Sequence, residues 1–443
     1  MKGWNLKNQF WRGLLAWSLL IGWCAPTIVT AQAAPDFETL VTTFLERTIA
    51  DRRWFHANPE LSLREFQTQA HLRDALLAMP GVELVPGEWG TGLVALLTGE
   101  QPGPLIGWRA DMDGLPITEI TGLPYASSRC DTLSGGREVG VMHACGHDLH
   151  LSITLGAVRV LAELREQMAG SLLLIFQPAE EIGEGARNML QAGVFTAERR
   201  PLRVFSLHDH PDYACGDIAV CPGGATANVD GFVLTVRGHG GHGAYPHHAV
   251  DPVILAAQMV LAFNGIVARE MDVNNHCVIT VGSIQGGAQS NIIPDEVVLQ
   301  ATVRSHDEPT RQALRTKITR TVDGLAAAAG APAPRLEYYF GTPAGLNDPV
   351  LVAEVREVAG SLLGPEHVIT HAPQMIGEDF ALFARAVPGC QFLLGVAPPS
   401  GTTGLHSPEF NPDEGAVAVG MRLVAEILWD QLQRCVSVAP SEE

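Results

Sequence analysis

The sequence predicts an α/β protein with two folded units: a layered domain built on a mostly parallel sheet, and an α+β domain of ferredoxin-like topology inserted into it. In the layered part, short continuous apolar runs alternate with helical patterns, as in parallel α/β folds. Between residues 226 and 340 the order of strands and helices changes. The length of 443 residues also exceeds the size at which one hydrophobic core keeps growing.

The strands of the layered domain are predicted from four short apolar runs. Such runs are typical of strands that are buried on both faces of a parallel sheet. They lie at residues 105–108, 172–176, 204–207 and 392–396. Between the first two runs, apolar residues at helical spacing predict a helix that covers the sheet: Ile153, Ala157, Val160, Leu161 and Leu164.

The inserted domain is predicted from a βαββαβ order, which is the ferredoxin-like split arrangement. The predicted elements are a strand at 232–236, a helix at 252–269, strands at 278–284 and 297–303, a helix at 309–328 and a strand at 336–340. We therefore expect residues 34–225 and 341–443 to form the layered domain, and residues 226–340 to form the insertion.

The N-terminus has the pattern of a cleavable signal peptide. Basic residues precede an apolar run from Leu14 to Ala25, and Ala31-Gln32-Ala33 fits the small-x-small cleavage rule. We expect residues 1–33 to be removed after Ala33 and the protein to be periplasmic or secreted, with an uncleaved anchor as the alternative. The net charge of −19 argues against nucleic acid and anionic membranes as partners.

Export places the cysteines in an oxidising compartment. Loss of Cys24 leaves seven cysteines, and if Cys145 binds metal, six remain for up to three disulfides. Cys215 and Cys221 flank a short segment and are one candidate pair. Free buried thiols are an equally good interpretation.

Polar residues follow each of the four predicted strands. Asp111 and Asp113 follow the first and the pair Glu180–Glu181 follows the second, while His208 ends the third and His406 follows the fourth. In open α/β sheets, ligands bind beyond the carboxyl ends of the strands. The four placements therefore predict one shared site.

The segment from His143 to Asp148 is interpreted as a metal-binding loop. Cys145 and His147 are two residues apart, so they diverge on a helix and converge only from a turn, which Gly146 permits. Thiolate, imidazole and carboxylate together suit two divalent cations such as zinc, manganese, nickel or cobalt, with Cys145 as a plausible bridge. A hydroxide between the two metals would then be the nucleophile of an amide hydrolase.

The adjacent carboxylates Glu180 and Glu181 are expected to have different roles, because neighbouring side chains do not both face one metal well. We assign Glu181 to the metal and Glu180 to general base and acid catalysis; the reverse assignment stays open. Each of these residues also has a plain structural interpretation, as a buried thiol, a core histidine or a solvated loop acid.

Three residues of the insertion are candidates for contact with the substrate. His242 lies in the glycine-rich segment 238–244 and could stabilise the oxyanion of the tetrahedral intermediate. Asn291 and Arg304 could hold a substrate carbonyl or carboxylate. The alternatives are a flexible polar turn around His242 and a solvated arginine at a strand end.

Taken together, these motifs resemble the metal-dependent amidohydrolases that include hippurate hydrolase, indoleacetyl-amino-acid hydrolases and N-acyl-amino-acid amidohydrolases, relatives of aminoacylase and glutamate carboxypeptidase. The resemblance runs from His56 to the C-terminus. It is carried by segments 56–62, 109–116, 143–148, 178–181, 377–380 and 405–408, and by the His242 loop.

The resemblance implies a catalytic domain with a metal pair, an inserted lid used for dimerisation, and cleavage of N-acylated amino acids. By motif position, the expected metal ligands are Cys145, His147, Glu181, His208 and His406. Glu180 matches the catalytic carboxylate, and His242 matches a lid histidine that in relatives can act on the neighbouring subunit's site. Asp111 and Asp148 are expected to support the ligands.

The chain departs from the family pattern in two places. His210 adds a second imidazole close to the expected ligand His208, which leaves the choice between them open. The signal peptide differs from the many cytoplasmic members, so scavenging of exported or environmental conjugates fits better than a role in diaminopimelate biosynthesis.

The leading functional hypothesis is hydrolysis of N-acyl or N-aroyl amino acids. An exported dipeptidase or carboxypeptidase is the alternative within the hydrolases. A catalytically silent metal-binding module is the alternative from another class, and the presence of Glu180 beside the predicted ligands argues against it.

Overall fold

A computed structural model describes residues 35–401 and 403–436. The predicted signal peptide and its cleavage site lie outside the described residues. The helices are α1 Phe37–Ala57, α2 Phe66–Leu77, α3 His147–Glu163, α4 Gly185–Gln191, α5 Pro252–Gly265, α6 Glu308–Ala328, α7 Pro349–Leu363, α8 Phe380–Ala386 and α9 Ala416–Val436. The strands are β1 Val82–Leu84, β2 Leu93–Thr98, β3 Gln101–Asp111, β4 Cys130–Thr132, β5 Glu138–Gly140, β6 Ala169–Gln177, β7 Arg203–Ala214, β8 Ile218–Val220, β9 Gly223–Gly224, β10 Asn228–Arg237, β11 Gly241–His242, β12 Cys277–Gln285, β13 Ile292–Ile293, β14 Glu296–Ser305, β15 Arg335–Phe340, β16 Leu346–Asn347, β17 Val368–Thr370 and β18 Gly389–Ala397.

The larger sheet has eight strands in the order β1-β2-β6-β3-β7-β18-β8-β17. The four predicted apolar runs form β3, β6, β7 and β18, which are neighbours at the centre of this sheet and pair in parallel. Their carboxyl ends therefore lie along one edge. The predicted α/β class with a mostly parallel sheet is confirmed.

The central strands are buried on both faces, as their continuous apolar sequence predicts. On β6, Leu172 and Leu174 pack into the core cluster shared with α3 and α9, whereas Leu173 and Ile175 pack into a second cluster with residues of α4 and α8. Successive residues of a strand point to opposite faces of the sheet, so a strand covered on both sides needs apolar residues at every position.

The second sheet has four antiparallel strands in the order β12-β14-β10-β15, with α5 and α6 packed against it. The βαββαβ order and this strand arrangement are the predicted ferredoxin-like topology. The Arg311 guanidinium donates to the Asp230 carboxylate from Nε at 2.8 Å and from Nη2 at 2.5 Å, which joins α6 to β10. We call the part of the chain from β10 to β15, residues 228–340, the lid.

The seven cysteines among the described residues are all free thiols. The candidate pair Cys215–Cys221 does not form a disulfide. Instead, Cys221 is buried with its Sγ 3.3 Å from the carbonyl oxygen of Gly224, so the structure has the free-thiol arrangement.

Candidate metal centre

The five predicted metal ligands meet at the carboxyl ends of the central strands. Ligand atoms of Cys145, His147 and Glu181 all lie within 4.8 Å of one another. The Cys145 Sγ is 3.6 Å from Nε2 of His208, and Oε2 of Glu181 is 3.6 Å from Nε2 of His406. One thiol, one carboxylate and three imidazoles therefore converge from four separate parts of the chain.

The turn before α3 brings the thiol and the first imidazole together. Gly146 is in the left-handed region, with φ +77°, and is the N-cap of α3, so Cys145 precedes the helix and His147 begins it. A Cβ at position 146 would lie 2.1 Å from Oδ1 of Asp209. The loop therefore needs glycine both for its backbone conformation and for the close approach of β7.

Backbone carbonyl groups orient two of the imidazoles. Nδ1 of His147 is 2.8 Å from the carbonyl oxygen of Asp113, and Nδ1 of His208 is 2.7 Å from that of Asp209. Because a carbonyl oxygen only accepts hydrogen bonds, each Nδ1 carries a proton, which leaves each Nε2 as the nitrogen that can bind a cation.

Two buried polar atoms of the five ligand candidates have no hydrogen-bond partner among the described residues, namely Nε2 of His147 and Oε1 of Glu181. Buried polar atoms are rarely left unpaired. An imidazole nitrogen and a carboxylate oxygen are both ligand atoms of the kind that bind zinc and similar cations. Burial and the nearby Glu181 raise the pKa of the Cys145 thiol well above its usual range, so a bound cation is what would hold it as a thiolate. The residues present therefore fit a metal site.

Asp111 lies beside the ligand candidates, in a second group with His147, His150 and His208 whose potential ligand atoms all lie within 4.8 Å of one another. Its Oδ2 is 3.7 Å from Nε2 of His147, and its carboxylate accepts from Nη1 of Arg109 at 2.7 Å. Its Oδ1 is 2.5 Å from Nδ1 of His150, whose Nε2 lies 2.9 Å from Asp209. Both nitrogens of His150 are therefore engaged by carboxylates. The sequence reasoning missed His150, although its place three residues after His147 on α3 puts both on one helix face.

The Asp148 carboxylate joins α3 to α1 and, contrary to the supporting role expected for it, makes no hydrogen bond or ion pair with the five ligand candidates among the described residues. Its Oδ2 accepts from Nε of Arg52 at 3.0 Å and lies 2.9 Å from Nδ1 of His56. Burial favours the neutral acid, but Arg52 and His56 outweigh it and hold the pKa of Asp148 well below its usual range. Arg52 was not predicted from the sequence, and His56 entered only as the first residue of the motif segment 56–62.

The two adjacent glutamates occupy different surroundings. Glu181 lies with the donor atoms, with Oε1 3.9 Å from Nε2 of His147, and its side chain is 9% exposed. Glu180 instead lies within 4.8 Å of the carboxylates of Glu378 and Asp379. Burial, reinforced by these two carboxylates and Glu181, raises the pKa of Glu180 well above its usual range. Arg109 donates to both Glu378 and Asp379 at 3.0 and 3.1 Å, a link not predicted from the sequence.

His208 rather than His210 lies beside the Cys145 thiol. The ring centroid of His210 instead lies 4.9 Å from that of Tyr213 and 5.3 Å from that of His371, and its Nε2 is 3.0 Å from the side-chain amide nitrogen of Gln374. The pairing of β7 with β18 becomes irregular after His210, with a register shift between Gly395 and Ala397.

The structure brings His242 and Asn291 together on the lid but leaves Arg304 apart from them. His242 pairs with Ile292 in a short antiparallel ladder, and the N–H of Gly243 donates to the carbonyl of Asn291 at 2.8 Å. Arg304 donates within the lid sheet, to the carbonyl of Asp230 at 3.4 Å. Among residues 35–401 and 403–436, no hydrogen bond or ion pair joins these three side chains to the five predicted metal ligands.

The family profile described as Peptidase family M20/M25/M40 matches residues 107–430. The chain belongs to this family. The resemblance stated from the motifs is confirmed at the level of the family, while its hippurate hydrolase branch in particular stays a prediction.

Relatives and solved structures agree with this M20 assignment. The chain is 37% identical to an N-acetyl-L-cysteine deacetylase of Bacillus subtilis, over 85% of this chain and 86% of the relative. It is 36% identical to an N-acetyldiaminopimelate deacetylase of Listeria monocytogenes, over 87% and 99%.

Two solved structures are similar in fold and in sequence. A putative aminohydrolase from methicillin-resistant Staphylococcus aureus superposes with a TM-score of 0.81 at 32% identity, covering 89% of this chain and 98% of that one. The Bacillus subtilis YXEP protein, described as a dinuclear metal binding peptidase of the M20 family, superposes with a TM-score of 0.76 at 32% identity, covering 88% and 99%. This M20 protein is thus a hydrolase of amide bonds that uses a pair of metal ions.

Proposed function

We propose that this M20 protein hydrolyses N-acetyl and other small N-acyl amino acids to a carboxylic acid and a free amino acid. The observation that carries the proposal is the different placement of the two adjacent carboxylates. Glu181 groups with the metal-ligand atoms of Cys145 and His147, whereas Glu180 groups with Glu378 and Asp379. The named activities of the relatives at 35–37% identity, all deacetylases of N-acetylated amino acids, supply the substrate class.

In this proposal Cys145, His147, Glu181, His208 and His406 hold the metal pair. The metals, when bound, polarise the amide carbonyl and lower the pKa of water. Glu180 takes a proton from the attacking water and delivers it to the leaving nitrogen. Its raised pKa suits this work, because an acid that accepts and then returns a proton functions best when its pKa lies near the working pH.

Glu378 and Asp379 support the same role of Glu180 through their charge. Two further carboxylates beside a buried acid make it harder to ionise. Arg109 pairs with both of them, which keeps this acidic group in the protein interior. Glu180 has no hydrogen bond to Arg109 among the described residues, and we assign the proton exchange to this member of the group.

We also propose a homodimer formed through the lid, with His242 reaching the partner's site. His242 is exposed and has no contact with the donor set of its own chain within the described residues. Helix α5 buries Leu255 in the lid core but leaves Ile254 59% and Leu261 73% exposed, and β12 is an edge strand. An apolar helix face next to a free strand edge is a surface that another copy can cover.

The dimer is tested by mixing two inactive variants, His242→Ala and Glu180→Gln. If each site uses His242 of the other chain, random subunit exchange regenerates about a quarter of the wild-type activity, because half of the dimers hold one intact site. Each variant alone is the control. No recovery in mixtures shown by mass spectrometry to contain heterodimers contradicts the arrangement.

The proposed location is the periplasm or the medium. Expression of the full chain in a bacterium, followed by fractionation and N-terminal sequencing, is expected to yield a protein that begins at Ala34. Recovery of the intact N-terminus in the membrane fraction would instead support an uncleaved anchor.

The substrate proposal is tested with purified protein on a panel of N-acetyl amino acids, N-aroyl amino acids and unblocked dipeptides, with and without chelator. We expect turnover of the N-acyl compounds that chelator abolishes and added Zn²⁺, Mn²⁺ or Co²⁺ restores. Glu180→Gln should lower kcat by about 10²- to 10⁴-fold with both metals retained. Glu184→Gln is the matched control, since Glu184 is exposed and makes no cap hydrogen bond.

Other outcomes of this panel favour the alternatives. Preference for unblocked dipeptides would support the peptidase, and bound metal without turnover of any amide would support the silent module. Loss of metal in Glu180→Gln with residual activity would reverse the roles of the two glutamates.

A further inference from the structure

The turn that carries the two glutamates has a strained backbone. Ala179 is a buried non-glycine residue in the left-handed region, with φ +55°. That conformation is costly for a residue with a Cβ and persists only where the surroundings impose it. It lies between the end of β6 and Glu180, so it sets the direction in which both glutamates leave the sheet.

Two carboxylates hold this turn through three consecutive peptide groups. The N–H of Ala179 donates to Oε1 of Glu65 at 2.9 Å. The N–H groups of Glu180 and Glu181 each donate to the carboxylate of Asp113 at 3.1 Å. Asp113 also presents its carbonyl oxygen to Nδ1 of His147, so the orientation of this metal-ligand candidate and that of the glutamates depend on the same residue.

Glu65 is an unusual residue to find at this place for structural reasons alone. It is fully buried, and no ion pair to it occurs among the residues that the structure describes. Its other oxygen accepts from the hydroxyl of Thr91. Burial and the neighbouring Asp113 raise the pKa of Glu65 to about 7. A buried acid without a cation lowers stability relative to an apolar residue, which argues that its hydrogen bond to Ala179 has another use.

We propose that Glu65 is a positioning residue, which holds the Ala179 turn so that Glu181 faces the metals and Glu180 faces the water. This inference rests on the roles given to the two glutamates in the proposed function. Glu65 touches neither substrate nor metal; it acts through the peptide N–H next to Glu180. The property required is a hydrogen-bond acceptor at the position of Oε1, not a negative charge.

The neighbouring Glu60 offers a matched control. It lies in the same segment, and its Oε2 accepts from the N–H of Gln67 at 2.8 Å and from the N–H of Thr68 at 2.9 Å. These bonds cap the start of α2, and none of them involves the Ala179 turn. Loss of the Glu60 carboxylate therefore reports what a purely structural glutamate of this region contributes.

The test compares Glu65→Met, Glu65→Gln and Glu60→Met in the metal-loaded full-length protein. Methionine fills the space without an acceptor, so kcat of Glu65→Met should fall about 10- to 100-fold, because the released turn misplaces Glu180 and Glu181. KM should stay within about twofold, because ground-state binding is not altered. Glutamine restores kcat to within about threefold of wild type, since its amide oxygen can accept from Ala179 and its amide nitrogen can donate to Thr91. Glu60→Met should lower the melting temperature and leave kcat unchanged.

A second readout does not depend on activity. In cobalt-substituted protein, the visible absorption bands should shift in Glu65→Met and remain unshifted in Glu65→Gln and Glu60→Met, because only the first variant releases the turn that orients Glu181. The kinetics use whichever amide the wild type hydrolyses. Failure on N-acyl amino acids would therefore contradict the proposed function while the cobalt spectra still test the turn.

Three results would overturn the proposal. One is a Glu65→Met enzyme with wild-type kcat, and another is Glu65→Gln as slow as Glu65→Met, which would show that charge is needed. The third is a Glu65→Met protein that melts early like Glu60→Met but keeps the wild-type cobalt spectrum and kcat per bound metal pair.

Discussion

Replacement of Asp148 by Asn tests the buried charge cluster between α1 and α3. The side chains of Arg52, His56 and Asp148 are at most 1% exposed, and both cations lie within 3.0 Å of the Asp148 carboxylate. Burial opposes a charge on His56, but Asp148 and Glu119 outweigh it and raise the pKa of His56 to about 9. His56 is therefore a cation in the folded protein at neutral pH.

The effect on stability follows from this pKa. The rise from 6.5 to about 9 corresponds to about 3 kcal/mol of unfolding free energy, at about 1.4 kcal/mol for each tenfold change in proton affinity. Because the folded-state pKa is raised, this contribution is complete below pH 6.5 and is lost as the pH rises through 9. In Asp148→Asn a neutral acceptor replaces the carboxylate, so most of the contribution disappears at every pH.

At pH 6 we expect the unfolding free energy of Asp148→Asn to be about 3–5 kcal/mol below that of wild type, since Arg52 and His56 both lose their buried carboxylate partner Asp148. The difference should narrow by up to about 3 kcal/mol at pH 9.5. Urea unfolding of the metal-loaded protein, followed by tryptophan fluorescence at both pH values, measures this. Asp74→Asn is the control, because Asp74 is 73% exposed. A difference that stays constant between pH 6 and 9.5 would refute the assignment of His56 as the titrating group.

Three further substitutions test the metal loop and the lid. Cys145→Ser should lose at least one metal ion and lower kcat more than about 100-fold, as measured by metal analysis and steady-state kinetics; full metal content with full activity would contradict the ligand assignment. Gly146→Ala should also remove metal, because its Cβ would lie 2.1 Å from Asp209. The control is Gly122→Ala, at φ +72° with no atom within 4 Å, which should lower the unfolding free energy by only about 1 kcal/mol and keep both ions. Arg311→Met leaves the Asp230 carboxylate buried without its cation and should destabilise the lid by about 3–5 kcal/mol, visible as faster proteolysis of the lid; unchanged proteolysis would show that the pair is dispensable.

Patterns that are local in the chain determined the fold class and the main donors in advance. Strands covered on both faces need uninterrupted apolar residues, so the runs that form β3, β6, β7 and β18 could be recognised one by one. His208 lies on β7, Glu181 and His406 follow β6 and β18, and Cys145 and His147 flank the N-cap of α3, between β3 and β6 in the chain. Once these strands are parallel neighbours, Glu181, His208 and His406 come to one edge of the sheet, and the turn before α3 brings Cys145 there.

The contacts that orient those donors depend on packing between distant segments. Arg109 pairs with Glu378 across 269 positions of the chain, and Arg52 pairs with Asp148 across 96. A buried acid such as Glu65 has no periodicity or motif spacing that reveals its partner, because its partner is a peptide N–H on another turn. Sequence by itself therefore determined which side chains can bind metal, through local pattern and residue type. Only the tertiary structure decided which carboxylate faces the metals and which groups hold it there, because both are set by the close approach of elements far apart in the chain.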